Sequence, residues 1–350
     1  MSRRPGAAIL VVLLFSAIAS TRANDAVSPV TDQRWQEAVI SVTDLDVTAR
    51  FFLDIGQYEI RWRGPIDAAG IAAWGLPASA SGEAMLLGPA GYPSGLVRLV
   101  RFDNVGRKAP TRPGSRAWDT GCYFSLMVRM RGLESIYDDA IRLGWWTETP
   151  ITTIEFGTSK LDIVVFRGPD GVQVQGYERL EPPLPAEIPP FERMAGPFNV
   201  MQTVQDRDAS YRFYTEVLGF DTFYKGKPYT AKIPTPTPLG IPLNLTTRSA
   251  YRAGIVYPTA GEFGRMEMVE FMDLDGNDYA ENCNAPNLGL LAVRFPVGDT
   301  AQAMTTLSAR GMSISAPAAD VRIEPYGDVR LFGIKTPDGA NVHFFETVSQ

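Results

Sequence analysis

The feature that most constrains this chain is an internal duplication. Residues 37–56 and 199–219 repeat one device at an offset of 162, with Asp44, Asp46, Phe51 and Phe52 echoed by Asp206, Asp208, Phe213 and Tyr214. In the first copy Glu37 to Val42 alternates as a strand with one buried face. Asp44 or Asp46 then caps a helix whose apolar members Val47, Phe51, Phe52 and Ile55 recur every three to four residues, and Gly56 ends it. Any amphipathic helix after a strand shares that period, but the period does not explain matched aspartates, an aromatic pair and a terminal glycine together.

A second echo supports the first. Residues 162–174 and 330–342 read as hairpins turning on Pro169-Asp170-Gly171 and Pro337-Asp338-Gly339, where proline presets the bend and glycine accepts a positive φ. Each hairpin follows a strand-helix pair, at 123–144 and 291–311, so each half holds two strand-helix-strands modules and the chain holds four. Between the halves, residues 181–190 carry five prolines, which keep the backbone extended. The expected division is a unit over 35–180, a linker over 181–196 and a second unit over 197–347.

Residues 1–23 read as a secretory signal peptide: a basic head with Arg3 and Arg4, an apolar run from Ala7 to Ser20, and a small-residue cleavage site at Ala23. The run is too short for a bilayer core, which needs roughly 20 apolar residues. Removal of this segment leaves a periplasmic or secreted protein with no membrane attachment. A formal charge of −6 with no basic stripe excludes a nucleic-acid partner. Cys122 and Cys283 allow one disulfide, which would have to join the halves, but a chain of this size needs no staple and two buried thiols are the favoured reading. Nothing in the sequence sets the oligomeric state.

An Asp-x-Asp element before a helix ending in Val217, Leu218, Gly219 and Phe220, a strand from Arg265 to Phe271, and the Pro-Asp-Gly hairpins together resemble the vicinal oxygen chelate superfamily, which includes glyoxalase I, extradiol dioxygenases and bleomycin-resistance proteins. The resemblance covers Trp35 to Glu346. It implies an α+β fold of four βαβββ modules paired into two domains, each a U-shaped sheet that holds a divalent metal between first-strand and last-strand side chains. Counting back from the aspartate after each first strand gives Glu37, Tyr123, Asn199 and Ala292, and the last-strand positions fall on Arg98, Gln175, Glu267 and His343.

These positions divide by chemistry. Glu37, Arg98, Tyr123 and Gln175 include a permanent cation that repels a metal, so the first unit is expected to be metal-free and to recognise a polar substrate group or brace its partner. Asn199, Glu267 and His343, the last being the chain's one histidine, are an expected ligand set for one Zn, Mn or Fe ion. The same Glu267 and His343 serve equally as a metal-free acid–base couple or a structural contact, and these alternatives stay open. Two insertions, near 64–90 and 225–264, are expected to cover the sheets and shape a pocket for a moderately hydrophobic molecule. The leading functional expectation is an exported lyase or isomerase acting on a small carbonyl or hydroxylated compound, and the other is a protein that binds and sequesters a small molecule.

Overall fold

Asp44 is the residue that starts the first helix. Held extended, it accepts hydrogen bonds from the backbone N–H groups of Asp46 at 2.9 Å and Val47 at 3.0 Å. Asp206 does the same for Asp208 at 2.8 Å and Ala209 at 3.1 Å. Each helix then widens into a π-helical turn, Phe51–Ile55 and Phe213–Val217, that carries both members of its aromatic pair into the core. Val47 instead faces solvent, and Leu45 and Ala49 take the inward places.

The computed structural model describes residues 27–114 and 116–348, so the signal segment lies outside the described residues. The first module comprises β1 (Glu37–Ser41), α1 (Leu45–Arg50), β2 (Glu59–Pro65), α2 (Ala68–Ala73), β3 (Ser81–Gly88) and β4 (Leu96–Asp103). The second comprises β5 (Ser125–Arg129), α3 (Leu133–Arg142), β6 (Trp146–Thr147), β7 (Thr152–Phe156), β8 (Ser159–Arg167) and β9 (Gln173–Glu181). The third comprises β10 (Asn199–Thr203), α4 (Arg207–Arg212), β11 (Asp221–Lys225), β12 (Tyr251–Tyr257) and β13 (Arg265–Phe271). The fourth comprises β14 (Gly289–Pro296), α5 (Thr300–Ala309), β15 (Ala316–Ile323), β16 (Gly327–Lys335) and β17 (Asn341–Thr347).

Four modules in two curled sheets are therefore present, but consecutive modules do not share a sheet. An eight-stranded sheet runs β15-β16-β17-β14-β1-β4-β3-β2 and joins the first module to the fourth. A nine-stranded sheet runs β11-β12-β13-β10-β5-β9-β8-β6, with β7 pairing β8, and joins the second module to the third. The seams are antiparallel: Glu37 of β1 stands opposite Arg294 of β14, and Asn199 of β10 stands opposite Met127 of β5. The expected pairing of modules within 35–180 and within 197–347 is corrected accordingly.

Consecutive modules meet instead through their helices and turns. Phe51 stacks on Trp145 with ring centroids 3.9 Å apart, and Phe220 lies 5.5 Å from Phe295. The Pro-Asp-Gly turns add a polar latch: Asp170 accepts from the Thr43 N–H at 2.7 Å, and Asp338 accepts from the Gln205 N–H at 2.9 Å and the Ser210 hydroxyl at 2.7 Å. With one face of each sheet used this way, the first-strand edges are free to pair with the distant module.

Cys122 and Cys283 form a disulfide across 161 residues, a correction to the expectation of free thiols. The segments ahead of β5 and β14 cross there, with the Tyr279 N–H donating to the Thr120 carbonyl at 2.9 Å, so the two buried sulfurs meet. No helix among the described residues is long and apolar enough to cross a membrane.

Candidate functional site

Strand register builds two related cradles on the inner faces of the sheets. In the eight-stranded sheet β4 places Arg98 beside β1, and β17 places His343 directly beside Arg294. In the nine-stranded sheet β13 places Glu267 beside β10, and β9 places Gln175 directly beside Met127. The quartets Glu37, Arg98, Arg294, His343 and Asn199, Glu267, Met127, Gln175 occupy corresponding positions.

In the first cradle Glu37 is fully buried between two guanidinium groups. One carboxylate oxygen accepts from Arg98 Nε at 2.8 Å and Arg294 Nη1 at 2.7 Å, and the other accepts from the Tyr326 hydroxyl at 2.9 Å. Burial would raise the Glu37 carboxyl, but the charges of Arg98 and Arg294 prevail and hold it down at about 2. Burial, with the Arg294 charge adding to it, pushes His343 down to about 3, so its imidazole is neutral. The first insertion covers this cradle: α2 and the Trp74 that follows it line a cleft with Trp62, Arg98, Arg294 and His343.

In the second cradle Asn199 donates through Nδ2 to Glu267 Oε2 at 2.8 Å. Gln175 donates to the Ser125 hydroxyl at 2.6 Å, and its oxygen accepts from Tyr177 at 3.0 Å. Burial pushes the Glu267 carboxyl up to about 7, and neither the Asn199 hydrogen bond nor the charge of Arg265 offsets it. Glu267, Tyr177, Tyr251 and Phe271 nevertheless keep partial solvent contact, and the three aromatic rings pack on one apolar cluster. Arg129 and Arg265 extend this face toward one end, both more than nine-tenths buried, with Arg129 Cζ 4.0 Å from the centre of the Phe198 ring. The second insertion adds Ile241, Leu239 and Leu245 to the apolar cluster that contains Met127 and Met201.

The structure thus redistributes the expected site residues. Glu267 and His343 lie in different sheets, so the expected acid–base couple and the expected metal set of Asn199, Glu267 and His343 are not assembled; only Asn199 and Glu267 touch. Glu37 and Arg98 do pair, while Gln175 belongs to the other cradle. Tyr123 precedes β5 and lies in the core, its hydroxyl donating to the Asn341 carbonyl at 2.9 Å, so it recognises no substrate group. The cradle position in its module is Met127, four residues on, and in the fourth module it is Arg294 rather than Ala292. Arg294 carried one usable signal: it is the single charged residue in an otherwise apolar strand, GLLAVRFP.

Residues 197–344 match the Glyoxalase/Bleomycin resistance protein/Dioxygenase superfamily. Among solved structures the chain is similar to glyoxalase I from Zea mays, at 14% identity and a TM-score of 0.60, covering 90% of this chain and 92% of that one. It is also similar to a putative dioxygenase from Bacillus subtilis, at 11% identity and a TM-score of 0.56, covering 91% and 86%. No curated protein matches the sequence. Residues 197–344 thus carry the sequence pattern of the glyoxalase, bleomycin-resistance and dioxygenase superfamily, and over the whole chain the likeness to these two solved structures is one of fold.

Members of that superfamily typically use a divalent metal, and neither cradle suits one. Arg98 and Arg294 bring two fixed positive charges to the first, where Glu37 is already committed to them. The second offers one carboxylate, two amides and a thioether in place of the imidazole and carboxylate donors that hold catalytic divalent ions. Among the described residues no three His, Cys, Asp or Glu side chains gather.

Proposed function

We propose that the protein is an exported enzyme of this superfamily, a lyase or isomerase, in which Glu267 moves a proton on a small carbonyl or hydroxylated, moderately hydrophobic compound. The observation that carries the reading is Glu267 itself: a partly exposed carboxyl held near neutrality and oriented by Asn199. A group with its pKa near the working pH is the efficient general acid or base, worth about 10²–10⁴-fold in rate. Tyr177, Tyr251 and Phe271 offer an apolar bed, and Arg129 and Arg265, which share the single carboxylate of Glu262, leave a net positive end that suits the oxygen on which negative charge develops once the proton leaves. The disulfide supports export, since such bonds persist in oxidising compartments.

A second reading, a protein that binds a small molecule without chemistry, is favoured by the other cradle. It has a formed cleft, yet its carboxylate is locked between arginines and its imidazole is too weak a base for general catalysis at neutral pH. The test is solvent deuterium incorporation, followed by proton NMR, into a panel of small hydroxyketones and aryl ketones. Exchange that falls at least 100-fold in Glu267→Gln and persists in His343→Ala supports the enzyme. Exchange equal in wild type and Glu267→Gln overturns it.

A further inference from the structure

We infer that the cleft of the eight-stranded sheet is a separate binding site for a small monoanion, a carboxylate carried on a flat apolar group, recognised by the unused edges of Arg294 and His343. This site is independent of the Glu267 reading, because it lies in the other sheet and shares no residue with it.

The charge balance points to an anion. Glu37 neutralises one of Arg98 and Arg294 and leaves one positive charge in a buried place. At the rim Arg322, Glu324 and Asp328 carry one net negative charge, but they pair with one another in solvent, where salt screens them from the buried cluster. Two buried nitrogens also lack partners, and a neutral imidazole can present its N–H at Nδ1. Arg294 is 4% exposed and spends Nη1 on Glu37, but its Nε meets no acceptor. His343 is 5% exposed, and its Nδ1 has no partner. Polar atoms left unpaired at such depth are destabilising, which is the usual mark of a place that a ligand completes. One carboxylate would balance the charge and accept from both; a dianion would leave an excess negative charge.

The walls specify the rest of the ligand. Trp74 lies 5.0 Å from the His343 ring and 5.5 Å from Arg294 Cζ, and Trp62 lies 5.8 Å from Arg98 Cζ. Val100 and Leu331 complete an apolar lining, in a narrow cleft of about 40 Å³. Gly333 makes room for the imidazole: a Cβ there would stand 2.8 Å from His343 Cδ2 and 3.2 Å from Nε2. The ring is thus seated between Gly333 and Trp74, as a positioned recognition group is.

The experiment is isothermal titration calorimetry of the purified protein at low salt with benzoate, benzamide and acetate as probes. The expected result is saturable benzoate binding, at least tenfold weaker binding of benzamide, which lacks the charge, and weaker binding of acetate, which lacks the ring. Arg294→Met and His343→Leu should each weaken benzoate at least tenfold, while Glu267→Gln should leave it unchanged. Arg294→Met disturbs the Glu37 cluster and could unfold the sheet; His343→Leu removes a side chain whose Nδ1 has no partner and nearly keeps its volume, so it carries the test alone if needed. Absence of benzoate binding, equal affinity for benzamide, or full affinity in His343→Leu would overturn the inference.

Discussion

The two cradles share a backbone plan and contain opposite electrostatics. At matching positions one holds Glu37, Arg98, Arg294 and His343, the other Asn199, Glu267, Met127 and Gln175. Each has one carboxylate, fully buried at Glu37 and partly buried at Glu267, and the accompanying cations decide its state. Two guanidiniums within 2.8 Å hold Glu37 at about 2, whereas Glu267 receives a single amide hydrogen bond and rises to about 7. Burial favours the neutral acid, and only close, hydrogen-bonded countercharge reverses that preference. The first cradle is accordingly suited to holding charge and the second to exchanging a proton.

The largest effect that would break this contrast is expected from Glu37→Gln. Arg98 and Arg294 would then be buried with no countercharge, and stability should fall by about 4 kcal/mol, as for other broken buried pairs. Glu267→Gln at pH 8 should be neutral or stabilising, because it removes an ionised group that burial disfavours. Urea unfolding of the two variants beside wild type decides the matter, and equal losses would erase the distinction.

A smaller effect lies in the pH dependence of stability. The Glu267 carboxyl ionises near 4.5 in the unfolded chain and near 7 in the folded one, so stability should decline as pH rises from about 4.5 to 7 and level off above. The expected decline is about 3 kcal/mol, and it should vanish in Glu267→Gln. The eight-stranded sheet slopes the other way. Glu37 contributes stability above pH 4.5 that is lost as pH falls toward 2, and neutral, buried His343 withdraws stability as pH falls below 6.5. Urea midpoints in wild type, Glu267→Gln and His343→Leu from pH 4 to 9 separate these contributions.

The smallest effect sharpens the second cradle alone. Asn199→Ala removes the hydrogen bond that favours ionised Glu267, so the carboxyl should titrate higher still, by about one unit. The carbon-13 chemical shift of the Glu267 carboxyl, followed against pH, reads this directly, and an unchanged titration would mean that Asn199 does not orient the acid.

Much of this was legible in local pattern. Asp44 and Asp206 announce their helices because a cap needs only a short side chain two or three residues from the N–H groups it accepts. The two Pro-Asp-Gly turns are legible for the same reason, and the last-strand positions Arg98, Gln175, Glu267 and His343 do fall at corresponding register positions. Tyr123 and Ala292 miss the cradle because the helix cap follows the cradle position by seven residues in the first and third modules, Glu37 to Asp44 and Asn199 to Asp206, but by five in the others, Met127 to Gly132 and Arg294 to Asp299. The first strand of the second module begins only at Ser125, and the β1–β14 register shifts between Val39 and Ile40.

Periodicity, capping and turn chemistry act over a few residues, and so the amino-acid order alone was enough for four modules, their repeated helices and the vicinal oxygen chelate resemblance. The choice of partner for each module was settled in three dimensions. Strand edges pair through backbone groups that every residue carries alike, so the seams of β1 with β14 and β5 with β10 leave no signature in residue type. That choice set Arg294 and His343 against Glu37 and Arg98, set Asn199 and Glu267 against Met127 and Gln175, and brought Cys122 to Cys283.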